Sequence, residues 1–335
     1  MAGNAKEKGA FALARATSAT EVVAAPDYYL PHASGVIVES PITWKRMPNY
    51  KPDITHHGFG GFNYTFSASG IEAPVNILGF LLWAILGSDA FSTPNHVITP
   101  VDDLPWLNVY NDTMQDLSSD GSNKPVKHAI GAKLTQLKGV FEMGGMAKFD
   151  IQGVACDLST PIAALTPTID LTADLAPVGW DHIDESTGWI KLGLGGDTSA
   201  QDDLLRKLTF EINRAAIMYG KGVGSRQPTK IDHTGREVKI ELEKDFFGDD
   251  ARAQYQEFRS QGVVEVDIKA VVSANSELRL WFPQAVFVDS MEQGTGTDAD
   301  VVQSKIALEA DINVSADPVV TAYVKHAATS DYDTL

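Results

Sequence analysis

The segment Gly220-Lys-Gly-Val-Gly-Ser-Arg226 comes nearest to a phosphate-holding loop. Glycines let backbone N–H groups converge on an anion, and a lysine supplies charge. Here the lysine is out of place. The segment also follows Leu208-Thr-Phe-Glu-Ile-Asn-Arg214, a strand pattern with no helix after it, so a hairpin loop is the better reading. His56-His57 could suggest a metal site, but adjacent strand residues point to opposite faces and do not chelate one ion. With His96 and His128 they read as surface or partly buried histidines making ordinary hydrogen bonds. Cys156, the single cysteine, cannot form an internal disulfide and ends an apolar alternation, which suits a buried, inert thiol. The chain has no G-x-x-x-x-G-K-[ST], H-E-x-x-H, G-x-S-x-G or C-x-x-C. No carboxylate pair stands out as acid and base. Trp44, Trp83, Trp106, Trp180, Trp189 and Trp281 are too scattered for a shared sugar platform. No catalytic residue, metal ligand or cofactor is expected.

The 335 residues leave room for two ordinary domains or one elaborated β domain. The formal charge of −17, from 44 acidic and 27 basic residues, argues against tight binding to nucleic-acid phosphates or anionic lipid. Met1–Thr20 shows no export signal. Val75–Leu86 is the most hydrophobic run, about a dozen residues against the roughly 20 that span a bilayer. It reads as a helix buried in the fold or at a subunit contact.

An element order occurs twice. The strand Phe62–Phe66 and the helix Val75–Leu86 precede strands near His96–Val109, Lys133–Phe141 and Met146–Val154. Then the strand Val238–Phe246 and a helix Asp250–Ser260 precede Val263–Val272, Leu278–Val288, Lys305–Val314 and Val319–Lys325. The expected fold class is mainly β (β-rich α+β), duplicated, with one flanking helix per copy. The expected division is an N-terminal arm (1–50), a first β subdomain (51–157), a connector or insertion (158–203), a second β subdomain (204–326) and a tail (327–335). Strict alternation, as in Ile306, Leu308, Ala310 against Lys305, Glu309, Asp311, gives strands with one packed and one polar face. Met143-Gly-Gly-Met146 suits a tight hairpin turn. Leu78, Phe80, Leu81, Trp83, Tyr255 and Phe258 are the candidates for core or subunit packing.

Gly58-Phe-Gly-Gly-Phe-Asn-Tyr-Thr-Phe-Ser, Leu78-Gly-Phe-Leu-Leu-Trp-Ala-Ile-Leu-Gly87, His96-Val-Ile-Thr-Pro, Leu104-Pro-Trp-Leu-Asn-Val, Gly131-Ala-Lys-Leu-Thr-Gln-Leu and Leu280-Trp-Phe-Pro-Gln-Ala-Val follow in series. In order and spacing the series resembles the tail tube proteins (major tail proteins) of long-tailed bacteriophages, over roughly Tyr50–Tyr323. The resemblance implies a β-sandwich or barrel-like domain that closes into rings, the rings stacking into a tube through which double-stranded DNA passes without specific binding. The doubled pattern favours a ring of three with pseudo-sixfold symmetry over a ring of six. The implied partners are the chain itself and tail terminator, tape measure and distal tail proteins, in the virion tail, after synthesis in the host cytoplasm and without a membrane. Polar strand faces then supply lumen-facing candidates: Asp150, Glu241, Glu243, Glu265 and Asp267. Like charge would let phosphates slide past. The arm, the loop Asp112–Pro125 and the tail after Lys325 are the candidate ring-to-ring segments. Two other readings remain: the inner tube of a contractile tail or injection device, and a β-sandwich enzyme or carbohydrate-binding module.

Overall fold

Alternating apolar and polar residues build long antiparallel strands that dominate the molecule. The structure, a computed structural model, describes residues 10–46, 56–112, 126–162, 176–184, 188–194, 205–219, 228–246, 258–260, 262–288, 292–295, 302–310, 318–326 and 331–332. The fold is mainly β and, among the described residues, has one helix longer than a single turn.

In the first series, strands β1 (Ala10–Ala16), β3 (Ser34–Arg46), β4 (His56–Ile71), β7 (Trp106–Asp112), β8 (Val126–Glu142) and β9 (Lys148–Ile162) pair in the order β1-β7-β8-β9-β4-β3. All these pairings are antiparallel. The β8–β9 turn places Gly144 at φ 75°, which glycine adopts without strain. Among the described residues two additions belong to this series alone, the short β2 (Tyr28–Tyr29) and the hairpin of β5 (Gly87–Ser92) and β6 (Asn95–Pro100).

The second series has β10 (Trp189–Leu194), β11 (Leu205–Tyr219), β12 (Lys230–Phe246), β13 (Val263–Ser273), β14 (Ser276–Phe287), β15 (Glu292–Thr295), β16 (Val302–Ala310) and β17 (Thr321–Lys325). β14 with β15 forms one interrupted line, and β16 with β17 another. Their ladder runs from Glu277↔Lys325 through Ala285↔Ala310 to Thr295↔Val302. The pairing order is β10-β13-β14/β15-β16/β17-β12-β11. Strand for strand it repeats the first series. The two series meet where β8 changes partner, pairing β7 through Val126–Ala132 and β11 through Gln136–Glu142. β17 also pairs β6.

Helix α1 (Val75–Leu86) forms where expected. Pro74 occupies its N-cap, and Gly87 ends it at φ 103° with its N–H bonded to the Trp83 carbonyl. Every residue of α1 except Asn76 is buried, and the helix packs on β6, β8, β14 and β17. An all-round apolar helix is stable only when enclosed, and each fully buried Leu, Ile or Phe contributes about 1.5–3 kcal/mol. One continuous hydrophobic core serves both series. Phe141, Phe149, Phe210 and Phe282 chain through it, with neighbouring ring centroids 5.9–6.4 Å apart.

Several sequence expectations are corrected. The N-terminal arm contains β1, whose Phe11, Ala12, Leu13 and Ala14 are buried. The supposed connector contains the short helix α2 (Asp181–Asp184) and β10, which pairs β13 along its whole length. The strand expected at His96–Val109 is two, β6 and β7. The tail after Lys325 places Tyr332 in the core at 0% exposure. Of the helix expected at Asp250–Ser260, only Phe258–Ser260 are described, and they are helical. Tyr255, most of the Asp112–Pro125 loop, the Gly220–Arg226 segment and Asp311–Val314 lie outside the described residues.

Candidate functional site

Residues directly opposite in an antiparallel ladder share a face. Following the registers gives a sheet in the order β3-β4-β9-β8-β11-β12-β16-β15, with one apolar and one polar side. The apolar rows include Ala68, Ile151, Leu137, Ile212, Val238, Ala310 and also Phe141, Leu208, Leu242, Ile306. On the polar side one row reads Asp150, Lys138, Glu211, Lys239, Glu309, and another reads Glu142, Lys207, Glu243. A third reads Gln152, Gln136, Asn213, Glu237. Carboxylates outnumber lysines, but the two alternate, so the face is a cross-strand charge ladder. Lys239 pairs with Glu237 at 2.8 Å and Lys207 with Glu243 at 3.7 Å. Glu211 Oε1 accepts from Gln136 Nε2 at 2.7 Å and Asn213 Nδ2 at 2.6 Å.

The five acidic candidates do not share one environment. Glu241 and Glu243 are exposed on β12 and lie on this polar face. Asp150 is on it too, with Oδ1 accepting from the Gly70 N–H at 2.9 Å, where the β4–β9 register shifts. Glu265 and Asp267 lie elsewhere, on β13. Glu265 accepts from Trp281 Nε1 at 2.5 Å. Asp267 is a correction. It is buried, held by Arg279 Nε and Nη2 at 2.8 and 3.0 Å and by Trp189 Nε1 at 2.9 Å. Alternation predicts a polar face for Asp267, but β10 and β14 flank β13 and bring Trp189 and Arg279 over it. A carboxylate so paired is a packing element, not a free surface charge.

Leu78, Phe80, Leu81 and Trp83 are all core residues of α1. Phe258 meets Phe287 edge to face at 5.6 Å. The packing that sequence reasoning missed is the C-terminal anchor. Tyr332 lies against Phe80, Trp83 and His96, and a Cβ at Gly79 would run into its hydroxyl. Its hydroxyl shares a hydrogen bond with His326 Nε2 at 2.6 Å and donates to the Asn76 carbonyl at 3.1 Å. Its N–H donates to Asp89, which also binds His96 Nδ1 at 2.7 Å.

His96 and His128, expected as surface or partly buried histidines, are both fully buried at 0% exposure, and His326 is buried as well at 6%. Burial pushes His128 and His326 down to about 4, in the second case with help from His96. His128 bonds Asn108 at 2.7 Å and stacks on Tyr110. Cys156 is buried, and burial pushes its thiol up to about 11, away from nucleophilic chemistry. Among the described residues no group of three His, Cys, Asp or Glu could hold a metal ion, and no helix is long and apolar enough to cross a membrane.

Among the described residues the two ends of the polar-faced sheet are open: β3 pairs only β4, and β15 pairs only β16. Val36 and Val38, on the β3 polar side, are 46% and 39% exposed. Asn111 Nδ2 and Lys127 Nζ donate to the β3 carbonyls of Gly35 and Ile37 at 3.2 and 3.1 Å. Side-chain donors of this kind blunt a strand edge. No family model matches the chain, and no curated protein sequence matches it.

Proposed function

We propose that this chain is a structural subunit that adds to copies of itself edge to edge, closing a ring of three. The rings stack into the tail tube of a bacteriophage virion, and the polar sheet faces form the channel wall. The observation that carries this reading is the internal joint. β8 of the first series pairs β11 at the edge of the second, and the strand equivalent to that part of β8 is β15. The strand equivalent to β11 is β3. Both are open edges, so the fold holds one completed joint and the two halves of another. A heterologous contact of this kind, repeated, closes a ring when its rotation divides the full turn evenly.

The repeat also gives the register. β8–β11 sets Lys138 opposite Glu211 and Gly139 opposite Phe210. Superposing the two ladders sets Glu292 opposite Val38, and Gln293 opposite Ile37, of the next copy. The joint would cover Val36 and Val38 and displace Asn111 and Lys127 from the β3 carbonyls. A wall of alternating carboxylates and lysines, acidic on balance, gives DNA phosphates no continuous basic track to bind. On this reading the chain is a scaffold without catalysis.

Negative-stain electron microscopy of the purified protein at rising concentration tests it. Hollow rings or tubes with threefold end views are expected. A monomer at every concentration, with and without a tail-tip initiator complex, would overturn the reading.

A further inference from the structure

One buried polar cluster ties the residues after β17 to both series. In the β6–β17 ladder His96 lies opposite Val324, and both are buried. His326 follows on the same parity, and the two imidazoles stack with centroids 4.6 Å apart and planes at 15°. Tyr332 closes over them, its ring 4.6 Å from His96 and 5.7 Å from His326. Gly79 on α1 leaves the space that its hydroxyl fills. Through the Asn76 carbonyl and the Asp89 carboxylate, Tyr332 holds α1 and β5 of the first series; through His326 it holds the end of the second.

The cluster has charge compensation for one proton only. Asp89 and His96 pair at 2.7 Å, both side chains at 0% exposure. A proton on His326 would set a second buried cation against His96 with no second carboxylate to meet it. α1 carries no ionisable side chain. On β14 and β17, Glu277, Arg279, Tyr323 and Lys325 take the opposite parity. Burial keeps the phenols of Tyr28, behind Phe80, and of Tyr332 neutral. Asp331 is partly exposed. The charges that act on His326 are those of His96 and Asp89.

Burial first, and then the His96 charge, holds His326 down to about 4, against an ordinary 6.5. The closed cluster therefore excludes a proton that an open one takes up. Closure is fully favoured above pH 6.5 and loses ground as pH falls towards 4. Opening also hydrates two buried atoms. His96 Nε2 and Asp89 Oδ1 have no hydrogen-bond partner among the described residues, and water entering as Tyr332 leaves would supply both.

We propose that Tyr332 is an acid-released latch, pinning the residues after β17 to α1 and the β5–β6 hairpin until protonation of the stacked His96–His326 pair frees it while the sheets stay folded. Release would uncover the side of α1 that carries Phe80 and Trp83. The latch lies within one chain and does not depend on the tube reading.

The test is amide hydrogen exchange of the full chain from pH 7 to 5, resolved at Tyr332 and corrected for the intrinsic effect of pH on exchange. The Tyr332 N–H, bonded to Asp89, should lose protection roughly tenfold or more over that range, while amides of the β8–β11 ladder keep theirs. His326→Gln retains an N–H donor for the Tyr332 hydroxyl but takes up no proton, so Tyr332 protection should stay level across the range. Loss of protection at Tyr332 and in the ladder together would mean global unfolding and overturn the proposal. So would Tyr332 protection that does not change with pH in the native chain, or a His326→Gln chain that opens with the native pH dependence.

Discussion

The β8–β11 joint and the open edges of β3 and β15 are the same kind of surface in two states. At the joint, backbone pairing is complete, Gly139 lets the Phe210 ring lie against the strand, and the rows of both series run through without a break. At β3 the equivalent positions leave two valines exposed and two carbonyls bound by borrowed side-chain donors. The difference teaches that the sheet's order is complete only within the chain. On the proposed reading the joint belongs to folding, and the edges to assembly.

That division can be broken by mutation. The largest effect is expected at the joint. Phe210→Ala removes a buried ring shared by both series and should cost about 3–5 kcal/mol in urea unfolding. A loss below about 1 kcal/mol would mean the joint is not integral to the fold. A smaller loss is expected on acidification. His128, His233 and His326 are each held down to about 4 in the folded chain. Between pH 6.5 and 4 the unfolded chain binds more protons at these sites, so stability falls as pH falls through that window. Melting curves from pH 7 to 4 should show the fall, and His128→Gln should flatten it.

At the edge the expected pattern reverses. Val38→Lys should leave monomer stability within about 0.5 kcal/mol while abolishing rings or tubes in the microscope. Assembly that survives it would remove β3 from the interface. The smallest effect is expected on the ladder between edge and joint, where Lys239→Ala breaks a largely exposed pair with Glu237. It should change stability by under 1 kcal/mol, less still at high salt.

Much of this was legible in the sequence, for physical reasons that also explain the misses. α1 announces itself because Pro74 and Gly87 bracket a run apolar on every side. β8, β9, β12 and β16 alternate, as half-buried strands must. β1 escaped because Ala-Phe-Ala-Leu-Ala-Arg-Ala is buried on both faces and carries no alternation. β10, short and bordered by glycines, reads as a loop until β13 supplies its partner. Asp267 sits at a polar parity, yet tertiary packing closes over it. Arg214 left a usable signal. It follows Leu208, Phe210 and Ile212 on the apolar parity of β11, where its Nη atoms donate to the Val101 and Asp102 carbonyls.

The most direct test of the joint is oxidative cross-linking of Val38→Cys/Glu292→Cys in a Cys156→Ser background, read on a non-reducing gel. The register inferred from β8–β11 places the two new thiols opposite each other on neighbouring copies, within disulfide reach. The expected result is covalent dimers and trimers from the double variant, reversed by reductant, with no trimers from either single variant. Rings or tubes that form without yielding this cross-link would contradict the β15–β3 joint.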